Sequence, residues 1–171
     1  MLRGLVMADV KIDIKVNNPK LTKFKVAGKT LKDVLKSLNA RDEWGLYDAT
    51  QNQKNKAQTD SDGNVTSVTM TLNPVIELPD WSGYSSATKE QKASWDKMVK
   101  LLEKHERNHH DIQVDCASDL EKEIKKAKTL KASDLNKIIS DQQKDCQKKQ
   151  DAYDSRTGHG EKEGVELDLD A

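Results

Sequence analysis

The chain has 171 residues and carries 29 Lys plus Arg against 29 Asp plus Glu, so its formal net charge is zero. That balance excludes the one-signed field expected of a nucleic-acid binder or of a protein drawn to an anionic membrane surface. Apolar residues make up 35% and charged ones 34%, and no apolar run approaches the ~18 residues of a membrane span, so the composition implies one unit with a modest core and long polar helices; a monomer is expected.

Val10-Lys-Ile12-Asp-Ile14-Lys-Val16 alternates with a period of two and reads as a half-buried strand that Asn17-Asn18-Pro19 ends. A second short strand around Lys23 to Val26 leads through Gly28 to Thr30, which has the side chain to N-cap a helix bearing Leu31, Val34, Leu35 and Leu38. Trp44, Leu46 and Tyr47 suggest a third strand. The polar run from Gln51 to Asp62 reads as an exposed loop closing on the turn dipeptide Asp62-Gly63. In Val65 to Leu72, Val68, Met70 and Leu72 alternate with threonines, the pattern of a strand with one face in the core. Asn73-Pro74 then interrupts, and Ile76 and Leu78 make a brief extended piece before Pro79. Residues 9–80 are therefore expected to form a small, mainly antiparallel sheet carrying one helix.

Lys89 to about Lys128 holds neither Gly nor Pro, with Thr88 placed to cap it. Trp95, Met98, Leu102, His105, His109, Ile112, Cys116, Leu120 and Ile124 recur every three to four residues along it, which predicts one long amphipathic helix. A second helix starts at Ser133 as its N-cap, with Leu135, Ile138, Ile139, Gln142, Cys146 and Tyr153 inward. The link between them, Thr129 to Ala132, is short, so the two helices should run antiparallel. The fold class implied is α+β.

His105-Glu106-Arg107-Asn108-His109 has the pattern H-E-x-x-H. Residues four apart on a helix share a face, so the two imidazoles can meet one metal ion while Glu106 is left to move a proton. A hairpin that pairs Cys116 with Cys146 turns at residue 131, inside the expected link, which makes these cysteines the candidate disulfide. The same register carries residue 157 to His105 and residue 153 to His109. His159, flanked by Gly158 and Gly160 that let the backbone turn, becomes the expected third zinc ligand; Asp154 is the main rival and Glu161 a weaker one. Tyr153 is the candidate oxyanion donor, and Asp111 or Asp154 the candidate holder of a ligand's second imidazole nitrogen. Val65 to Leu72 is the expected strand for holding an extended peptide.

The segments Val26-Ala-Gly28-Lys-Thr30-Leu31, Trp44-Gly45-Leu-Tyr47-Asp48-Ala49, Ile76-Glu-Leu78-Pro79-Asp-Trp81, Trp95 ahead of His105-Glu106-Arg-Asn-His109, and Tyr153-Asp154-Ser-Arg-Thr157-Gly-His159-Gly160 occur in this order. Together they resemble a bacterial family of predicted secreted zinc-dependent proteases, catalogued as a domain of unknown function. The resemblance implies a zincin-like fold over residues 9–162, with 9–80 as its sheet half and 88–160 as its helical half. Residues 1–8 and 163–171 are then terminal extensions. It also implies secretion or a periplasmic location. Met1 to Val10 is too short and interrupted to be a secretory apolar segment, so the signal peptide is expected to lie outside this sequence.

The expected function is a zinc metallopeptidase with Zn²⁺ on His105, His109 and His159, Glu106 as general base, and a peptide or protein as substrate. Two alternatives share these residues. One is a non-catalytic zinc-binding or helical-hairpin interaction protein; the other hydrolyses a non-peptide amide or ester.

Overall fold

The computed structural model describes residues 9–50 and 52–171; the expected N-terminal extension, 1–8, and Gln51 lie outside the described residues. Six strands and three helices are laid out as β1 (Lys11–Val16), β2 (Lys20–Val26), α1 (Leu31–Asn39), β3 (Leu46–Asp48), β4 (Lys54–Thr59), β5 (Val65–Leu72), β6 (Val75–Trp81), α2 (Lys89–Lys126) and α3 (Ala132–Thr157). The architecture is α+β, with two small mixed sheets and one very long helix.

The sheets correct the mainly antiparallel expectation. In one, ordered β1-β5-β4, β1 runs parallel to β5; in the other, ordered β2-β6-β3, β2 runs parallel to β6, and only the β4–β5 and β3–β6 pairs are antiparallel. Neighbours in sequence thus diverge into different sheets: β1 and β2 part company, as do β5 and β6. The run read as a loop after Gln51 contains β4, whose residues are all exposed, so no buried face imposes a period of two on its sequence. The Asp62-Gly63 turn does close the β4–β5 hairpin, with Gly63 at φ 75°. β6 continues through Pro79, since beyond Glu77 it borders only β2 and fewer ladder bonds are at stake.

Helix starts follow local chemistry. Thr30 and Thr88 each cap their helix in a reciprocal box, with Asp33 and Gln91 as the returning side chains. Ser133 is not a cap: α3 begins at Ala132 behind Lys131, which lends no side chain to the helix end. Gly158, in the left-handed conformation, ends α3 as its position predicts.

α2 binds the halves together. Its N-terminal Trp95, Met98 and Leu102 join Val34 and Leu38 of α1 and Ile76, Leu78 and Trp81 of β6 in one core. Its C-terminal Leu120 and Ile124 join Val65, Val68, Met70 and Leu72 of β5 and Leu135 of α3 in another. His105, Glu106 and His109, all buried, fall between the two cores. Residues 163–171, expected as a terminal extension, form no strand; Val165 is buried in the first core with Leu167 and Leu169 packed against it, and Ser94 bonds the backbone of Asp168.

Cys116 and Cys146 form a disulfide with Cα atoms 5.7 Å apart, fixing the register of α3 on α2. Closing a loop of 30 residues in the unfolded chain is worth about 3–4 kcal/mol by chain entropy. The double variant Cys116→Ala, Cys146→Ala is expected to lose most of that in urea unfolding.

Candidate metal centre

His105 and His109 lie one turn apart on α2 with their Nε2 atoms 3.3 Å from each other. Asp154, near the end of α3, completes the group: its Oδ1 is 2.9 Å from His109 Nε2 and 3.3 Å from His105 Nε2. These three residues could hold a metal ion.

The second nitrogen of each ring explains why the first is free to bind. His105 Nδ1 is 2.7 Å from a Glu163 carboxylate oxygen, to which it donates. His109 Nδ1 is 2.6 Å from Gln150 Oε1 and donates there, while the Gln150 amide nitrogen donates to the His109 carbonyl at 3.0 Å. With Nδ1 donating, each ring can present Nε2 as a lone pair. Two such lone pairs and a carboxylate oxygen meeting at these distances repel one another unless a cation or a shared proton lies among them, and a divalent metal suits a set of two imidazoles and one carboxylate.

Glu163 is held in turn. Its oxygens accept from the Tyr153 hydroxyl at 2.9 and 3.0 Å, and that hydroxyl accepts from Asn108 Nδ2 at 2.7 Å. Burial pushes Glu163 up, yet the bonds from His105 and Tyr153 outweigh it and leave the carboxyl below its ordinary range. The Tyr153 phenol is pushed up to about 12, first by burial. Its ring stacks on His105 at 4.9 Å.

The structure therefore places several expected site residues differently. Tyr153 spends its hydroxyl on Glu163 and orients His105 rather than donating into the cluster. Asp154 sits in the cluster itself. His159 lies just past the end of α3, its side chain 73% exposed and its Nδ1 4.0 Å from Asp154 Oδ1, so it stands at the rim rather than at the third corner. The reason is backbone: Gly158, His159 and Gly160 are all at positive φ, and this left-handed turn swings His159 outward. Asp111 is exposed, and it bears on Tyr47 and His110 rather than on the cluster. Glu161 lines the cleft, exposed. Sequence reading missed Glu163, Gln150 and Asn108; the hairpin register does carry Asn108 to Asp154 and Gln150 to within a turn of His109, whereas Glu163 lies beyond the turn and had no signal.

Glu106 is 5% exposed and faces a cleft of about 750 Å³ walled by 42–50 on one side and by α3 and the tail on the other. The backbone N–H of Tyr47, on β3, bonds its carboxyl. β3 comes this close because residue 45 is glycine: a Cβ there would lie 2.7 Å from Glu106 Oε1. Burial, followed by the charges of Glu43 and Asp154, raises the Glu106 pKa to about 8.

Residues 21–160 match the family described as "Bacterial protein of unknown function (DUF922)". The chain belongs to this bacterial family. No curated protein and no solved structure shows a significant match.

The Glu106 shift has a sign that can be checked in metal-free protein. Unfolded, the carboxyl loses its proton near 4.5; folded, it keeps it to about 8. Across that window the folded state holds the extra proton, so raising the pH lowers stability. Urea midpoints measured at pH 5 and pH 8 should fall more for the wild type than for Glu106→Gln.

Proposed function

We propose that the chain is a zinc-dependent peptidase of the zincin type, in which His105, His109 and Asp154 hold the metal and Glu106 carries the proton. The observation that supports it most is the meeting of two imidazole nitrogens and a carboxylate oxygen within 3.3 Å of one another beside a buried carboxyl in an open cleft. An open cleft suits a catalytic site, which leaves room for water and substrate; a purely structural zinc would be closed by a fourth protein ligand. Zinc, when bound, supplies Lewis-acid charge that polarises a carbonyl oxygen and makes water more acidic.

The chain's own residues do the rest. Glu106 takes the proton of the water that adds to the scissile carbonyl and delivers it to the departing amine. A cation among the three donors favours its charged form and offsets the burial that otherwise holds its proton. Glu163, Tyr153 and Asn108 on one side and Gln150 on the other keep both imidazoles in the tautomer that binds.

The substrate is an extended peptide held along β3. The strand first expected for this, Val65–Leu72, is the central strand β5 with both edges paired. β3 is an outer strand, pairs only with β6, and lines the cleft with the Tyr47 amide turned to Glu106. As an outer strand it gives a peptide backbone a place to add as a further strand. We place the protein outside the cytoplasm, secreted or periplasmic, because its disulfide needs an oxidising compartment.

Zinc titration read by thermal unfolding should raise the midpoint of the wild type and of His159→Ala but leave Asp154→Ala unmoved. Glu163→Ala should weaken zinc binding about 10–100-fold. Retained tight binding in Asp154→Ala would remove it as a ligand. For catalysis, Glu106→Gln should keep the zinc-induced rise while hydrolysis of a denatured protein substrate falls at least 10²–10⁴-fold or so. Equal hydrolysis by both forms would take Glu106 out of the mechanism.

A further inference from the structure

A second cavity, about 330 Å³, opens off the cleft between β5 and the α2–α3 hairpin. Ala49, Thr50, Gln113, Gln147 and Gln150 line both spaces, so the two are continuous. Gln150 is also the residue that holds His109 Nδ1. Gln113 lies one helical turn beyond His109 on α2, about 6 Å along the axis. An extended peptide advances ~3.3 Å per residue, so the cavity mouth is about two substrate residues from the metal centre.

The chemistry of the walls is unlike that of the cleft. Seven Asp or Glu and no Lys or Arg line the cleft, counting the described residues. The side cavity is lined by no charged residue among those described, in a chain of which 34% is charged. Its floor is Met70, Leu72, Leu120, Ile139 and the Cys116–Cys146 bridge. Its rim gathers six of the chain's nine glutamines. Two of these, Gln142 and Gln143, bond no other described residue through their side chains, so their amides are available to a ligand's backbone.

We infer that this cavity receives an uncharged, mainly apolar side chain of the substrate, of the size of Leu, Met or Phe, from a residue within two positions of the scissile bond. The inference rests on the peptidase reading of the metal centre. A Lys or Glu side chain entering it would leave water for a floor of carbon and sulfur with no partner charge, which is strongly unfavourable. An Ala or Gly would leave the space unfilled and forgo the apolar contact, worth about 10–200-fold in kcat/KM per deleted group of methylene size or larger. The disulfide thus has a second role, as part of the floor against which the side chain rests.

The test uses zinc-loaded protein and peptides identical except for Leu, Ala, Lys or Glu at the positions within two residues of the cleaved bond. The wild type should cleave the Leu peptide at least about tenfold faster in kcat/KM than the others at one of those positions. Ala117→Leu, which extends from α2 into the cavity, should abolish or invert the Leu-over-Ala preference. Gln142→Lys, at the rim, should raise the Glu peptide relative to the Leu peptide, and it carries the test if Ala117→Leu fails to fold by circular dichroism. Unchanged rankings in the folded variants, with cleavage still dependent on Glu106, would overturn the cavity assignment and leave the peptidase reading standing. No Glu106-dependent cleavage of any peptide would overturn both.

Discussion

Two imidazole nitrogens and a carboxylate oxygen are held within 3.3 Å of one another between the two cores of this molecule, and much of the structure serves to keep them there. His105 and His109 cannot relax by ring rotation, because Glu163 and Gln150 each capture the opposite nitrogen. Asp154 is carried by α3, whose register on α2 is fixed by a covalent bridge. Such a cluster could hold a metal ion. Two apolar cores grip α2 on either side of the site.

That division of labour accounts for the unusual length of α2. A helix of 38 residues reaches across two sheets that share no strand, and its stripe changes from tryptophan, methionine and leucine, to histidine and glutamate, to cysteine, leucine and isoleucine. The polar middle falls where the sheets part. β3 closes one side of the resulting gap and the α3 end with its tail closes the other, so the cleft is a consequence of the two-sheet layout rather than an excavation into one core.

What could be read from the sequence was whatever repeats with a short period or obeys a local rule. The stripe on α2, the threonine caps at 30 and 88, the glycine stop at 158 and the pairing of Cys116 with Cys146 all follow from helix geometry, and together they brought the end of α3 to the two histidines. The parallel pairings were not legible: Lys11 meets Ser67 and Lys20 meets Val75, and nothing in either strand's own pattern names a partner so far away. β4 escaped because an edge strand exposed on both faces has no periodic burial to show. That Asp154 rather than His159 lies beside the two histidines turned on a single backbone feature, three successive residues at positive φ, which two glycines hint at but whose direction they do not set. Glu163 follows that turn, so its approach to His105 could not be extrapolated from the helical register.

The left-handed turn at 158–160 also decides where the functional unit ends. It ends the helix and lets residues 161–171 run on towards the N-terminal end of α2, laying Glu163 on His105, Val165 in the core and Asp168 on Ser94. The stretch shared with the family stops at residue 160, and it starts at residue 21, after β1. A fragment trimmed to those bounds would keep both histidines, the glutamate and the aspartate, yet lack the acceptor that sets one imidazole's tautomer and a strand of one sheet. The shared segment holds the candidate ligands, while chain outside it helps to hold them in order.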